Sequence, residues 1–587
     1  MVDGLRRSYI GALVAALLVG AALRGAWPTA DPPTQGTVGI VWHDEGAWVH
    51  NARNRALWGT WRTDEWNPMF IAPVFTALEY AAFRTFGVGT WQARTVPAAS
   101  GLFAVLMLSL GLAAIAGSRA AAIGALLLAT NYVFVMWNRA ALMESTMTAC
   151  IVASWGAYAL AERRPRFGLL AGIAVVLAWF TKASSAFFVA AIVLDAAFTL
   201  LISRWDTARR QCRLAEPSST AVKGAAWTLG GMALAAAVAL VFFVVPNWTE
   251  YAFYNWQMSV TRKPAYTVRA LMDRASWIPI VHDFFTRMWL VTAVASLGIA
   301  AVAARWRSVR PGERLLVLWV LLGLAELVVH DSGNERRYIM FIPALIGLFS
   351  IVVTRREPFF PASSANGRGA RWLALPLVLL LSYIVFGSVA RLAFVHEVGP
   401  AVRVSAALSA VVALLILVNW TTVSAWLSRQ TIPPPAAIVL TMLAVAGDLA
   451  QYWQWSRHRT SENYAASVNV GRVLPPETLV HGKLANGLSL ENRIRPVFIG
   501  RGFGNYEDRL VRDDVRYILT YIAPSLGYES QKNNPVIRDV LEAYPHRAII
   551  MTFDVAETAT GHDRAALIDK FGADPNKARL TTGRAQN

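Results

Sequence analysis

Charge is scarce in this sequence. Only 16% of the 587 residues are Asp, Glu, Lys or Arg, against about a quarter in soluble domains, which excludes an ordinary water-soluble globular chain. Cysteine is scarcer still. Cys150 falls in an apolar run and Cys212 in a basic loop, so no disulfide framework organises the fold. No Gly-rich phosphate loop is visible, which argues against a nucleotide-sugar substrate. The His, Cys, Asp and Glu residues show no spacing that amounts to a metal motif, and there is no solenoid-type repeat.

What is present is apolar length. Hydrophobic residues make up 55% of the chain, its mean hydropathy is +0.41, and runs long enough to cross a bilayer recur through the first three quarters. After a first run, Tyr9 to Leu23, come Val96 to Ala116, Ala120 to Met136, Ala140 to Leu160, Phe167 to Phe180, Ser185 to Ile202 and Ala225 to Val245. Phe284 to Ala304, Leu315 to Val329, Tyr338 to Val353, Trp372 to Val389, Val404 to Leu427 and Ala436 to Trp453 complete the set. The reading is an α-helical polytopic membrane protein with about thirteen transmembrane helices.

The net charge of +18 raises the question of nucleic acid, but its distribution answers it. Arginines concentrate in short loops, such as Arg163-Arg164-Pro165-Arg166 and the stretch holding Arg209, Arg210 and Arg213, which is the positive-inside signature and not a basic stripe. This alternation puts the N-terminus in the cytoplasm and the C-terminus outside. Arg6-Arg7 before Tyr9 to Leu23 fits a signal peptide or an uncleaved first span; the many later spans favour the span. Abundant alanine and arginine over lysine hint at a bacterial inner membrane.

Residues 1–455 thus form the membrane part, including an external loop 26–94 whose Trp48, Leu57, Trp58 and Trp61 alternate with Arg53, Arg55 and Arg62 in the manner of short helices lying at the interface. Val74 to Phe86 carries Glu79 and Arg84 and is also placed at the interface. Residues 456–574 turn polar, with β-type runs at Pro496 to Gly500, Tyr517 to Tyr521 and Ala548 to Phe553, and read as a small external α/β domain. Residues 575–587 read as a disordered tail.

Once topology is drawn, the charges at outer span ends are few: Asp44 and Glu45 in Trp42-His43-Asp44-Glu45-Gly46, then Arg94, Arg139, Glu144, Lys182 and Arg336-Arg337. Charge at membrane depth is costly and persists where it has a partner, a wet cavity or a polar ligand. Snorkelling side chains and structural ion pairs, such as Arg139 with Glu144 on one helix end, would explain single members. A group of cations beside acids at one depth suits a lipid-linked phosphate with a nearby proton acceptor. A transporter or flippase of lipid-linked or anionic cargo is the alternative, although the internal repeats and broken midplane helices of transporters are not evident. A membrane scaffold with a partner-binding domain is a third reading.

These residues stand in a familiar order. Asp44-Glu45-Gly46 follows the first span; Phe86-Gly87-Val88-Gly89 leads to Trp91-Gln92-Ala93-Arg94-Thr95-Val96-Pro97. Asn138-Arg139-Ala140-Ala141-Leu142-Met143-Glu144, Thr181-Lys182 and Arg336-Arg337-Tyr338 with Pro343 come later. In that order the chain resembles the GT-C glycosyltransferases of the protein O-mannosyltransferase and aminoarabinose-transferase group. Two departures stand out: Asn67-Pro68-Met69 where relatives often have Lys-Pro-Pro, so that a donor or acceptor contact is either missing or supplied elsewhere, by Lys263 or Arg262, and Glu144 where aspartate is usual.

The resemblance implies inverting transfer of a sugar from a polyprenyl-phosphate donor to an acceptor on the external face. The acceptor is left open between protein, glycolipid and polysaccharide. Asp44 would act as general base with Glu45 beside it, Lys182, Arg336, Arg337 and Tyr338 would hold the donor phosphate, and Arg94, Arg139, Glu144 and His43 would shape the cavity or acceptor side. Tyr338 fits an interfacial anchor equally well. No cofactor is certain. A divalent metal would draw on Glu45, His282 and Asp283, as some relatives carry such an ion.

Overall fold

The computed structural model describes residues 2–33, 40–208, 219–261, 267–273, 276–277, 280, 288–330, 335–358, 401–427, 429–499, 503, 505, 508–522, 542–558 and 561–572. Its helices in chain order are α1 (Val2–Gly25), α2 (Asp44–Trp48), α3 (His50–Trp58), α4 (Pro73–Phe86), α5 (Thr90–Ile115), α6 (Ser118–Thr130), α7 (Tyr132–Asn138), α8 (Met143–Ala161), α9 (Phe167–Thr181) and α10 (Ala186–Ala208). There follow α11 (Ser219–Ala239), α12 (Trp248–Trp256), α13 (Trp289–Ala304), α14 (Pro311–His330), α15 (Ile342–Thr354), α16 (Ala401–Val418), α17 (Trp420–Leu427), α18 (Pro434–His458), α19 (Glu462–Val473) and α20 (Lys483–Gly487).

Among the described residues, five helices are long and apolar enough to cross a membrane, or six if the bent pair α6–α7 counts as one span. Four shorter apolar helices accompany them. That is fewer than the thirteen spans expected. Ala140 to Leu160 and Leu315 to Val329 do appear as α8 and α14, but with Glu144 in the first and Glu313, Arg314 and Glu326 in the second their apolar character is diluted. Trp372 to Val389 and the tail 575–587 lie outside the described residues.

Small residues let the helices approach. A Cβ on Gly172 of α9 would sit 2.2 Å from the Thr228 carbonyl of α11, and one on Gly231 of α11 would sit 2.4 Å from the Leu169 carbonyl. In lipid, association relies on such close van der Waals packing. Farther along α8, about 20 Å from Glu144 by the rise of a helix, Arg314 Nε donates to Asp195 Oδ1 at 2.7 Å, Arg314 Nη2 to Thr199 at 2.7 Å, and Tyr158 to Asp195 Oδ2 at 2.8 Å. This buried network is closed on itself, as a charge in a span requires.

Between α6 and α7 the axis bends by 60°. Asn131 leaves the helical region there, caps α7 through Phe134 N at 3.0 Å, and donates to Asp448 of α18 at 3.2 Å. Asp448 also accepts from Tyr132 N at 3.0 Å. The break thus has its freed backbone group satisfied from another helix, as it must in a membrane protein. It re-aims α7 and the Asn138-Arg139 turn that follows.

The polar C-terminal region folds around a five-stranded sheet: β1 (Leu479–His481), β2 (Arg495–Val497), β3 (Tyr517–Tyr521), β4 (Ala548–Thr558) and β5 (Gly561–Asp569), in the order β2-β1-β3-β5-β4. β1 pairs in parallel with β2 and β3, whereas β5 runs antiparallel to β3 and β4. Val480, Leu519, Val555, Ala565 and Leu567 pack with Ala466 and Val470 of α19 into one core.

Candidate active site

Asp44 and Glu45 open α2, where carboxylates suit the positive end of a helix. Both are buried, at 5% and 4% exposure. Their partners come from different helices and divide the two acids between two tasks.

Glu45 is held by a two-pronged guanidinium. Arg94 of α5 donates from Nε to Oε1 at 2.8 Å and from Nη2 to Oε2 at 2.7 Å, and Ala141 N adds a third bond to Oε1 at 2.8 Å. Arg94 Nη1 is spent on the carbonyls of Pro28 and Ala30. This is the paired geometry that makes a buried arginine–carboxylate contact strong. It ties the loop after α1 to α5 and to the α7–α8 turn.

Asp44 instead forms an ion pair with Arg336 through Oδ2. Lys182, at the end of α9, donates to Glu144 Oε1 at 2.6 Å. Glu144 also lies in the field of Arg336, and Lys182 in the fields of Arg337 and Arg336. Asp44, Arg336, Glu144 and Lys182 therefore form one electrostatic group drawn from four segments. Of its cations, Arg336 and Lys182 keep 20% and 17% of the side chain accessible, against 6% for Arg337 and 7% for Arg94. Those two are the more accessible of these four cations.

Arg337 turns away to Glu326 of α14 at 2.6 Å, which His330 Nδ1 also faces at 3.3 Å. Tyr338 is buried at 2% exposure, within the core and not at a membrane surface. Arg139 does not pair with Glu144 along one helix end; it donates to the carbonyls of Leu23, Arg24 and Trp27 and lies over the Trp455 ring at 4.6 Å. His43 is buried next to Asp44, its Nε2 3.8 Å from Oδ1.

The loop helices also differ from expectation. His50 to Asn54 of α3 are buried, because Arg53 donates to the carbonyls of Ser489, Asn492 and Ile494 in the C-terminal region. His50 meets Asp64 at 2.8 Å and Asn486 at 3.1 Å. Glu79 of α4 faces inward with no exposure, beside Glu45, and among the described residues neither of its oxygens has a hydrogen-bond partner.

Both oxygens of Glu45 are taken by Arg94, and no three His, Cys, Asp or Glu side chains gather to hold a metal among the described residues. His282, Asp283, Lys263 and Arg262 lie outside them.

Residues 71–215 match the family profile described as dolichyl-phosphate-mannose-protein mannosyltransferase. Across 98% of this chain and 99% of the other, the fold is similar to ArnT from Cupriavidus metallidurans bound to undecaprenyl phosphate, at 16% identity and a TM-score of 0.50. Profile and fold thus both resemble the GT-C glycosyltransferases. The apo Archaeoglobus fulgidus oligosaccharyltransferase is a more distant match, at 13% identity and a TM-score of 0.44, covering 95% of this chain and 74% of that one. No curated protein matches by sequence. The apolar helices fit an integral membrane protein, and Asp44, Lys182 and Arg336, widely separated in sequence, meet in one electrostatic group.

Proposed function

We propose that the chain transfers a sugar from a polyprenyl-phosphate donor to an acceptor at the external face of a bacterial inner membrane, with inversion at the anomeric carbon. The observation that supports this is the meeting of Asp44 with Arg336 inside the group that also holds Glu144 and Lys182. ArnT, similar in fold, was solved with undecaprenyl phosphate bound, which agrees with a lipid-phosphate donor here.

The chemistry follows from charge. The monoanionic phosphodiester of the donor competes with Asp44 for Arg336 and adds Lys182 as a second partner. Drawing Arg336 off Asp44 leaves that carboxylate free to accept a proton. As the acceptor oxygen attacks the anomeric carbon, its proton passes to Asp44. The bond from that carbon to the phosphate oxygen breaks, and the lipid phosphate leaves with the electron pair. The growing charge on the phosphate is met by Arg336 and Lys182.

The deciding experiment uses the full chain in nanodiscs with polyprenyl-phosphate mannose and other polyprenyl-phosphate sugars. Transfer by the wild type that Asp44→Asn abolishes, with the fold intact, supports the reading. Wild-type protein that moves a lipid-linked cargo across vesicles but transfers no sugar overturns it. Glycan and glycolipid mass spectrometry of cells with and without the chain identifies the acceptor.

A further inference from the structure

The segment that carries Asp44 is anchored to the C-terminal region as well as to the membrane helices. Trp42 is 4% exposed and is part of the core built by Val470, Leu484, Leu488 and Leu519. At Gly46 an added Cβ would lie 1.8 Å from the Asn486 carbonyl oxygen, and at Gly487 one would lie 2.8 Å from His43 Cα. The backbones of α2 and α20 are in contact, a spacing open only to glycine on both sides.

Between these two fixed points sits His43. Its Nδ1 is 3.3 Å from the hydroxyl of Tyr521 at the end of β3, with the two rings edge to face at 6.2 Å. Its Nε2 faces Asp44 Oδ1 at 3.8 Å, while Arg336 takes Oδ2. β3 is paired on both sides, with β1 and β5, and Tyr521 itself pairs with Ala565. The hydroxyl is therefore carried on a rigid support.

We infer that Tyr521 is a positioning residue for Asp44, acting through His43. This rests on the proposed role of Asp44 as base. With the Tyr521 hydroxyl as donor to Nδ1, the ring proton sits on Nε2, on the Asp44 side of the ring and 3.8 Å from Oδ1, a charge contact beyond hydrogen-bond reach; which ring nitrogen carries the proton is set by the bond the other makes. When a donor phosphate draws Arg336 away from Oδ2, His43 keeps the carboxylate from turning. The C-terminal region is thereby a working part of the site and supplies the restraint that the membrane helices release.

The test is a double-mutant cycle on the full chain in nanodiscs, with the polyprenyl-phosphate sugar that the wild type turns over and polyprenyl-phosphate mannose tried first. Turnover is counted per folded molecule. Tyr521→Phe keeps the ring packing, leaves donor KM and thermal midpoint near wild type, and lowers kcat by roughly ten- to hundredfold, the cost of a displaced reacting group. In a His43→Ala background the same change has no further effect, because partners on one path are not additive. Unchanged kcat in Tyr521→Phe, or an equal loss in both backgrounds, overturns the inference. Asp44→Asn is run beside them: wild-type turnover there overturns the base assignment itself, whereas its loss with a neutral Tyr521→Phe overturns only the role given to Tyr521.

Discussion

Arg336 closes an ion pair on Asp44 while lying in the field of Glu144. One guanidinium thus pairs with the proposed base and acts through its field on the Glu144–Lys182 pair. Arg336→Gln is expected to lower kcat/KM by about 10²- to 10³-fold, the size of losing one donor to transition-state charge. Arg337→Gln, whose partner is Glu326, should lower the thermal midpoint instead and leave turnover per folded molecule within a few fold. Steady-state kinetics beside a melting curve separate the two.

Glu45 and Asp44 should respond oppositely to the same conservative change. Glu45→Gln puts an amide donor against Arg94 in a buried site, and breaking such a pair costs about 3–5 kcal/mol. Asp44→Asn should melt near the wild-type temperature and lose transfer. Equal melting losses in both variants would contradict this division of labour.

Lys182→Met strands the fully buried Glu144. Its cost should be about 3–5 kcal/mol, recovered in large part by adding Glu144→Gln, because an unpaired buried charge is worse than no charge. The recovery should appear in stability and not in transfer, since the cation for the phosphate is still missing.

His481 of β1 is 1% exposed, and burial, then the Lys570 and Arg512 cations, push its pKa down from 6.5 to about 2. The unfolded chain takes up the proton more readily than the folded one. Its contribution to stability is whole above pH 6.5 and is lost progressively as pH falls toward 2. By pH 5 the loss is about 2 kcal/mol. Acid melting of the C-terminal region should shift by that amount in His481→Leu relative to wild type, measured against each protein's value at pH 8.

The sites that stood out in the sequence were those where charge is costly. Asp44, Lys182, Arg336 and Arg337 were visible because an ionised group at a span end needs a reason. Their pairing was not. Arg139 and Glu144 are neighbours in sequence, yet Arg139 went to main-chain carbonyls and Glu144 to Lys182 on another helix. Glu326, Asp195 and Asp448 sit inside expected spans and carry the same signal. Tyr517 to Tyr521 read correctly as a strand, whereas β1 has three residues and β5 mixes Asp and Arg into its apolar pattern. Arg53 looked like an interfacial cation because its carbonyl partners lie over four hundred positions away.

His43 and Tyr521 are 478 positions apart in the chain, and the slot for the Trp42 ring is built from the same late residues. At ordinary rates of synthesis, the ribosome takes roughly half a minute to a minute and a half to cover that interval. The first helix and its acidic segment are therefore made, and inserted, long before the scaffold that aligns them exists. A chain released early would carry every charged group named at the membrane and still be silent, its maturation timed by the last strand to emerge.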